Sequence, residues 1–364
     1  MRLIEKVWFN RHPAKWLLVP LLLPLSVLFW LISSVRRMSF KLGLLKSFKV
    51  NKPVIVVGNI GVGGNGKTPI VIYLVELTRA LGLTPGVISR GYGGKAHHYP
   101  YLVNQHSTAL EAGDEPVLIQ QRCKVPVAVG SNRIASAELL ISQGCDIIIS
   151  DDGLQHYRLQ RDLELIIIDG KRLFGNGFLL PAGPLREGQW RLSKSDLIVY
   201  NGLISSHKKD NNLSYQLSNK SNNSSQQQTF EAVLPEHLQM SLVATQVCNL
   251  MTGECINVTD FIALNNTVNA IAGIGSPQRF FDTLEANKFK LKTQKSFVDH
   301  HCFSLADFST FDDKIPLLMT EKDAVKCQSF CNENWWYLPV DANFNSIEKK
   351  LITDKIKSVL QLTR

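Results

Sequence analysis

The chain has 364 residues, 45% of them hydrophobic and 20% charged, which suits a globular protein with one large or two medium cores and excludes a disordered polyelectrolyte. Its formal net charge of +9 favours an anionic partner, whether nucleic acid, an acidic membrane surface or a phosphorylated small molecule, and charge alone does not choose among them. Seven scattered cysteines with no CxxC pair give no sign of a disulfide framework or a zinc site, so the expectation is a reduced, cytosolic chain.

The N-terminus qualifies that expectation. Trp16 to Val35 contains no charged residue in 20 positions, the length that about 30 Å of hydrocarbon demands of a helix. A cleaved signal peptide fits less well, because small-residue cleavage chemistry is absent and Arg36 and Arg37 follow at once. Pro20 and Pro24 leave two readings open, a kinked span and a helix partly embedded in one leaflet. Lys and Arg flank both ends (Arg2, Lys6, Arg11 and Lys15; Arg36, Arg37, Lys41, Lys46 and Lys49), so the positive-inside rule does not set an orientation.

From Val54 onward, short β-branched runs alternate with helical patterns: 54–57, 86–89, 125–129, 145–150, 165–169 and 196–200. Continuous apolar strands separated by helices predict a parallel sheet covered on both faces. Residues 207–228 are Asn/Ser/Gln-rich and short of apolar anchors, which predicts a disordered insertion or exposed linker. A hairpin is predicted across Thr252 and Gly253, followed by strand and helix patterns at 268–274, 315–320 and 335–340. The expected fold is therefore α/β: a P-loop NTPase-like parallel core, a second and smaller α/β lobe, and an N-terminal membrane-associated helix. The expected domains are that segment at 1–45, the core at 46–203, the insertion and hairpin linker at 204–266, and the lobe at 267–364.

Gly61, Val62, Gly63, Gly64, Asn65, Gly66, Lys67 and Thr68 fit G-x-x-x-x-G-K-[ST] at every fixed position, between a strand and a helix. Glycines let backbone N–H groups turn toward a bound anion, the helix N-terminus adds its positive end, Lys67 reaches the β and γ phosphates of ATP, and Thr68 ligates Mg²⁺. A neighbouring strand should end in an acid that serves Mg²⁺, and Asp151 and Asp152 follow the apolar run at 145–150.

Further polar clusters separate this loop from the generic case: SRGYGG (89–94), GDEP (113–116), LLPAGPLREG (179–188), VDHHCF (298–303) and TEKDAVK (320–326). Together with GNIGVGGNGKTP and DDGLQH, they closely resemble the tetraacyldisaccharide 4'-kinase family of lipid A biosynthesis, in order along most of the chain outside the polar insertion. The resemblance implies ATP-dependent phosphorylation of the 4' hydroxyl of an acylated glucosamine disaccharide 1-phosphate, on the cytoplasmic face of a bacterial inner membrane. Such a lipid leaves the bilayer at a cost of ~0.8 kcal/mol per buried methylene, which gives the enzyme reason to come to the membrane.

Phosphoryl transfer needs a base, Mg²⁺ ligands and cations around the migrating group. By resemblance, Asp114 is the candidate base and His300 the histidine that orients it. Glu115, Asp151, Asp152 and Glu187 are the acids expected around Mg²⁺ or its water, and Arg90, Arg133 and Arg186 the cations for the γ-phosphate or the substrate's 1-phosphate. The RGYGG stretch is either a loop over the substrate or a turn. Family members commonly carry an aromatic residue where Leu154 stands and a tyrosine where His301 stands; the first should change packing only, and the second makes the choice of His300 over His301 rest on motif alignment. The competing class is a membrane-associated P-loop ATPase switch of the partitioning or site-selection type, which often carries an extra lysine early in the loop where this chain has Gly61 and Val62. Nucleic acid is not expected as a partner, because no recognition motif or aromatic–basic interleaving accompanies the charge.

Overall fold

The computed structural model describes residues 3–10, 12–202 and 236–362; Arg2, Arg11 and the polar insertion expected at 207–228 lie outside the described residues. Two sheets organise the described residues, one of nine strands and one of six. The strands of the first sheet are β1 (Val54–Gly58), β2 (Pro85–Ser89), β3 (Tyr101–Val103), β4 (Val127–Val129), β5 (Ile147–Ser150), β6 (Leu163–Asp169), β7 (Leu197–Asn201), β8 (Glu236–Val243) and β15 (Asp341–Asn343), strung in the order β15-β8-β7-β6-β1-β5-β2-β4-β3. From β8 to β4 every pairing is parallel, and only the edge strands β15 and β3 run antiparallel.

Each residue of β1 is buried, as a central parallel strand covered on both faces requires. Side chains alternate between the faces. Ile55 and Val57 join the core built with α3 (Lys67–Ala80), α5 (Asp114–Cys123) and the C-terminal α10 (Ser346–Leu362), whereas Val54 and Val56 join Leu140 of α6 (Arg133–Ser142) on the other side. Ile352, Ile356 and Val359 lie at i, i+4 and i+7 and are all buried, so α10 presents one apolar stripe to the first sheet.

The second sheet contains β9 (Gln246–Asn249), β10 (Cys255–Asn257), β11 (Thr267–Ala272), β12 (Lys290–Ser296), β13 (Leu317–Thr320) and β14 (Trp335–Leu338), with α7 (Val258–Leu264), α8 (Pro277–Ala286) and α9 (Glu321–Cys327) between its strands. The predicted hairpin is present as the antiparallel β9–β10 pair. The sheets divide the chain differently from the expected domain boundaries. β8, inside the stretch expected as linker, pairs with β7, and β15 and α10, inside the stretch expected as second lobe, return to the first sheet.

The expectation of wholly reduced cysteines is corrected at one place: Cys248 and Cys255 form a disulfide. Antiparallel register sets these two residues directly opposite on β9 and β10, with Cα atoms 4.1 Å apart, a juxtaposition that seven-residue spacing alone does not reveal.

At the N-terminus, α1 (Leu3–Phe9) precedes α2 (Lys15–Lys41), and α2 runs through Pro20 and Pro24 as one helix. Its 27 residues span about 40 Å at ~1.5 Å per residue. It is long and apolar enough to cross a membrane, and most of its large apolar side chains are bare: Trp16 is 78% and Leu17 73% exposed. The buried exception is Ser26, whose hydroxyl donates to the Leu179 carbonyl at 3.0 Å and accepts the Ala182 N–H at 2.9 Å. The helix is thereby pinned to the LLPAGPLREG segment.

Candidate active site

That segment is also the seat of the phosphate loop. Val62 N–H donates to the Pro184 carbonyl at 2.9 Å, and Gly61 bridges Leu185. The loop leaves β1, passes through Gly63 and Gly66 at φ 112° and 89°, and enters α3 at Lys67. Both φ values fall where a side chain is disfavoured. On the far side, Asn201 at the end of β7 donates to the Asn65 carbonyl at 3.0 Å and stands where a β-carbon on Gly66 would go. Pro69 sits in the first turn of α3, where its missing N–H costs little.

Strand β5 lies beside β1 and delivers Asp151 and Asp152 to the same edge. Lys67 Nζ lies 3.7 Å from Asp152 Oδ1, and Arg186 Nη1 lies 3.1 Å from Asp152 Oδ2. Burial pushes Asp152 upward, but Lys67 and Arg186 outweigh it and hold the carboxyl below its ordinary range. Asp151 is 1% exposed; burial, followed by the charge of Glu115, pushes it up to about 7 against the pull of Lys67. Its Oδ1 has no hydrogen-bond partner among the described residues, although it is buried. Asp151 is thus an orphaned buried acid on the strand edge beside the phosphate loop, next to Asp152, and carboxylate oxygens of this kind are hard donors. Leu154, wholly buried, packs against Gly58, in keeping with a packing role.

Asp114 opens α5, directly after the short α4 (Ala109–Ala112), and is 5% exposed. Gly113 precedes it at φ 91°, and the RGYGG stretch lies on that junction: a β-carbon on Gly113 would meet the Tyr92 carbonyl at 2.9 Å, and one on Gly91 the Ala112 carbonyl at 3.0 Å. Glycines therefore let two backbone segments touch where a bulkier pair would hold them apart.

From the second lobe, His300 Nδ1 comes to 3.0 Å from Asp114 Oδ2. The hydrogen bond to Asp114 raises His300, and for Asp114 the imidazole and Lys322 overcome the opposing push of burial and lower it. His301 faces the other way, with Nε2 3.2 Å from Asp307 Oδ2 and its ring stacked on Phe297. The side-by-side histidines are thus separated by geometry: one reaches across to Asp114 and the other stays within its own lobe.

The remaining expected residues divide. Glu115 is at the site, where Lys322 Nζ lies 3.1 Å from its Oε1. Arg90 stands exposed past the end of β2. Two others serve the framework instead of the open cleft. Arg133, 4% exposed, donates to Ser150 Oγ and to the carbonyls of Asp151 and Asp152, holding the turn that carries them. Glu187, 5% exposed, faces Arg191 Nε at 3.3 Å in a buried ion cluster with Glu164, and its backbone N–H donates at 3.2 Å to the carbonyl of Ile60, the residue before the phosphate loop. A lone sequence does not show that both side chains are buried, nor which ions and carbonyls they meet.

Several site residues were not expected. Gly275, in the turn between β11 and α8, packs on Gly64, and a β-carbon there would come 2.9 Å from the Gly64 nitrogen. Arg279 Nη1 reaches Asp169 Oδ2 at 3.2 Å and its Nη2 donates to the Asn201 carbonyl at 3.0 Å. Lys322 and Asp299 flank the Asp114–His300 pair. The glycine-flanked GIGSP turn was the available signal for Gly275, and the TEKDAVK motif for Lys322.

The family model Tetraacyldisaccharide-1-P 4'-kinase matches residues 18–361. The tetraacyldisaccharide 4'-kinase of Colwellia psychrerythraea is 68% identical over 361 residues, covering 99% of each chain. That of Pasteurella multocida is 47% identical, covering 97% of this chain and 96% of the relative. Among solved structures, the "apo" form of LpxK from Aquifex aeolicus in complex with ATP superposes with a TM-score of 0.72 at 29% identity, covering 94% of this chain and 99% of that one.

Proposed function

The chain belongs to the tetraacyldisaccharide-1-P 4'-kinase family and is an ATP-dependent kinase of lipid A biosynthesis, and from that premise we propose how its own residues carry the reaction. The 4' hydroxyl of an acylated glucosamine disaccharide 1-phosphate attacks the γ-phosphorus, the bond from that phosphorus to the β,γ-bridging oxygen breaks, and ADP leaves. Asp114 takes the hydroxyl proton. His300 orients the carboxylate and carries part of the change in charge.

The observation that supports this reading best is the meeting of three things at one lobe junction: the phosphate loop at Gly64, the second-lobe turn at Gly275, and the 3.0 Å Asp114–His300 pair. The backbone N–H groups of 61–68 and Lys67 would grip the β and γ phosphates. Arg186, already on Asp152, and exposed Arg90 are the cations placed to follow charge on the migrating group or on the 1-phosphate. Thr68, Asp151 and Asp152 would hold Mg²⁺, which when bound neutralises phosphate charge.

The N-terminal 1–45 segment is the membrane-associated part in this proposal, with the catalytic lobes on the cytoplasmic face of the inner membrane. Bare α2, pinned at Ser26 to the same LLPAGPLREG segment that seats the phosphate loop, supports a site held close to the bilayer surface. A net charge of +9 suits anionic lipid and nucleotide together.

The test is transfer of label from γ-labelled ATP to the acylated disaccharide 1-phosphate in mixed micelles. Label should enter the lipid with the wild-type protein and not with Lys67→Ala; hydrolysis of ATP with no labelled lipid would support a nucleotide switch instead.

A further inference from the structure

Lys322 is the second residue of α9, a helix whose start is fixed by Thr320 Oγ accepting the Asp323 N–H at 3.1 Å. Its Nζ lies 3.1 Å from Glu115 Oε1, 3.6 Å from Asp299 Oδ1 and 3.9 Å from Asp114 Oδ2, with the side chain 17% exposed. One ammonium thus faces three carboxylates drawn from two lobes. Asp114 and Glu115 belong to α5 of the first sheet, and Asp299 immediately precedes His300.

The links run in series. Asp299 Oδ1 accepts the backbone N–H of His300 at 3.1 Å, and His300 sits at φ 59°, a conformation that a side chain adopts only when its surroundings hold it there. From that position its Nδ1 reaches Asp114. Without the ammonium, Asp299 would approach Asp114 and Glu115 as a third like charge in a partly buried space, and repulsion would push the His300 turn away. A plain structural tie is already present beside it: Arg122 of α5 is paired with Glu321 of α9 and with Asp341 of β15. Lys322 is therefore free for a more local task.

We propose that Lys322 is a positioning residue, which sets His300 against Asp114 across the lobe junction by holding Asp299 and Glu115 together. The proposal rests on the reading of Asp114 and His300 as the base pair of the kinase. Lys322 acts through that pair, so the loss on its removal should fall on kcat and should vanish when the pair is already broken.

The experiment is a double-mutant cycle by steady-state kinetics on the full-length protein in mixed micelles, with ATP and the acylated disaccharide 1-phosphate as substrates. Lys322→Met should lower kcat about 10-fold or more with the ATP KM changed less than about 2-fold, and in a His300→Ala background the same change should cost less than about 3-fold. Lys322→Arg should recover most of the rate, because it keeps the charge at the junction. Asp299→Asn, which leaves the lysine in place, should show the same non-additivity with His300→Ala and guards against a Lys322→Met protein that fails to fold. Equal losses in both backgrounds, or an unchanged kcat in Lys322→Met, would overturn the proposal. Wild-type turnover in both His300→Ala and Asp114→Ala would instead remove the base assignment on which it rests, and those two single variants report that independently of Lys322.

Discussion

Asn201 donates its carboxamide to the Asn65 carbonyl at 3.0 Å, so the end of β7 props the phosphate loop from behind. The same carboxamide closes the space beside Gly66, whose φ is 89°. Gly66→Ala therefore meets two penalties, a disfavoured backbone and a collision with Asn201. The backbone alone should cost about 1–3 kcal/mol, and ATP affinity should fall because the loop can no longer keep its shape. Thermal melts with and without ATP check this; a variant that melts and binds ATP like the wild type contradicts it.

Removing either member of the Asp114–His300 pair should lower turnover roughly 10²-fold or more while ATP binding survives. Nucleotide affinity and kcat measured on Asp114→Ala and His300→Ala separate the two effects. Loss of ATP binding in step with turnover would mean that the pair shapes the nucleotide site instead of serving the acceptor hydroxyl.

The same pair makes stability depend on pH in a definite direction. Asp114 is lowered on folding, so its share is present above the ordinary carboxylate range and lost as pH falls through the lowered value. His300 is raised, so its share is present below the ordinary imidazole value near ~6.5 and lost as pH rises through the raised value. The melting temperature of the wild type relative to His300→Ala should thus be greatest between about pH 4 and pH 6.5, and the gap should narrow toward alkaline pH. A gap that widens steadily up to pH 9 contradicts the assignment.

Much of this was legible in the sequence, and the part that was not has two physical causes. The loop at 61–68, the strand ending in Asp151 and Asp152, and the hairpin at β9–β10 are local patterns, and local chemistry is enough to recognise them. The return of β15 and α10 to the first sheet depends on contacts across the whole chain, as does the convergence of Gly275, Arg279 and Lys322 on residues more than 75 positions earlier. Burial is the other silent variable. Arg133 and Glu187 carry the residue types that phosphate and metal sites use, and both are buried, Arg133 holding the Asp151–Asp152 turn and Glu187 facing Arg191.

The anchoring of α2 makes a prediction of its own. Ser26→Val keeps the helix apolar but leaves the buried Ala182 N–H without its partner, while the Leu179 carbonyl keeps only the Gly183 N–H. Such a loss costs about 1–3 kcal/mol, and it should appear as a lower melting temperature in detergent micelles. Ser26→Thr, which retains the hydroxyl, should lose less. Equal melting of Ser26→Val and wild type would mean that α2 does not depend on this contact for its seat.

The central claim is that the nucleotide site delivers its phosphoryl group to a lipid-borne hydroxyl and not to water. The most direct measurement is the stoichiometry of ADP released to lipid phosphorylated, followed in the same reaction with and without the acylated disaccharide 1-phosphate. One ADP per phosphorylated lipid, with ADP release falling to background when the acceptor is withheld, is the predicted result. ADP release that continues at the same rate without acceptor would contradict it.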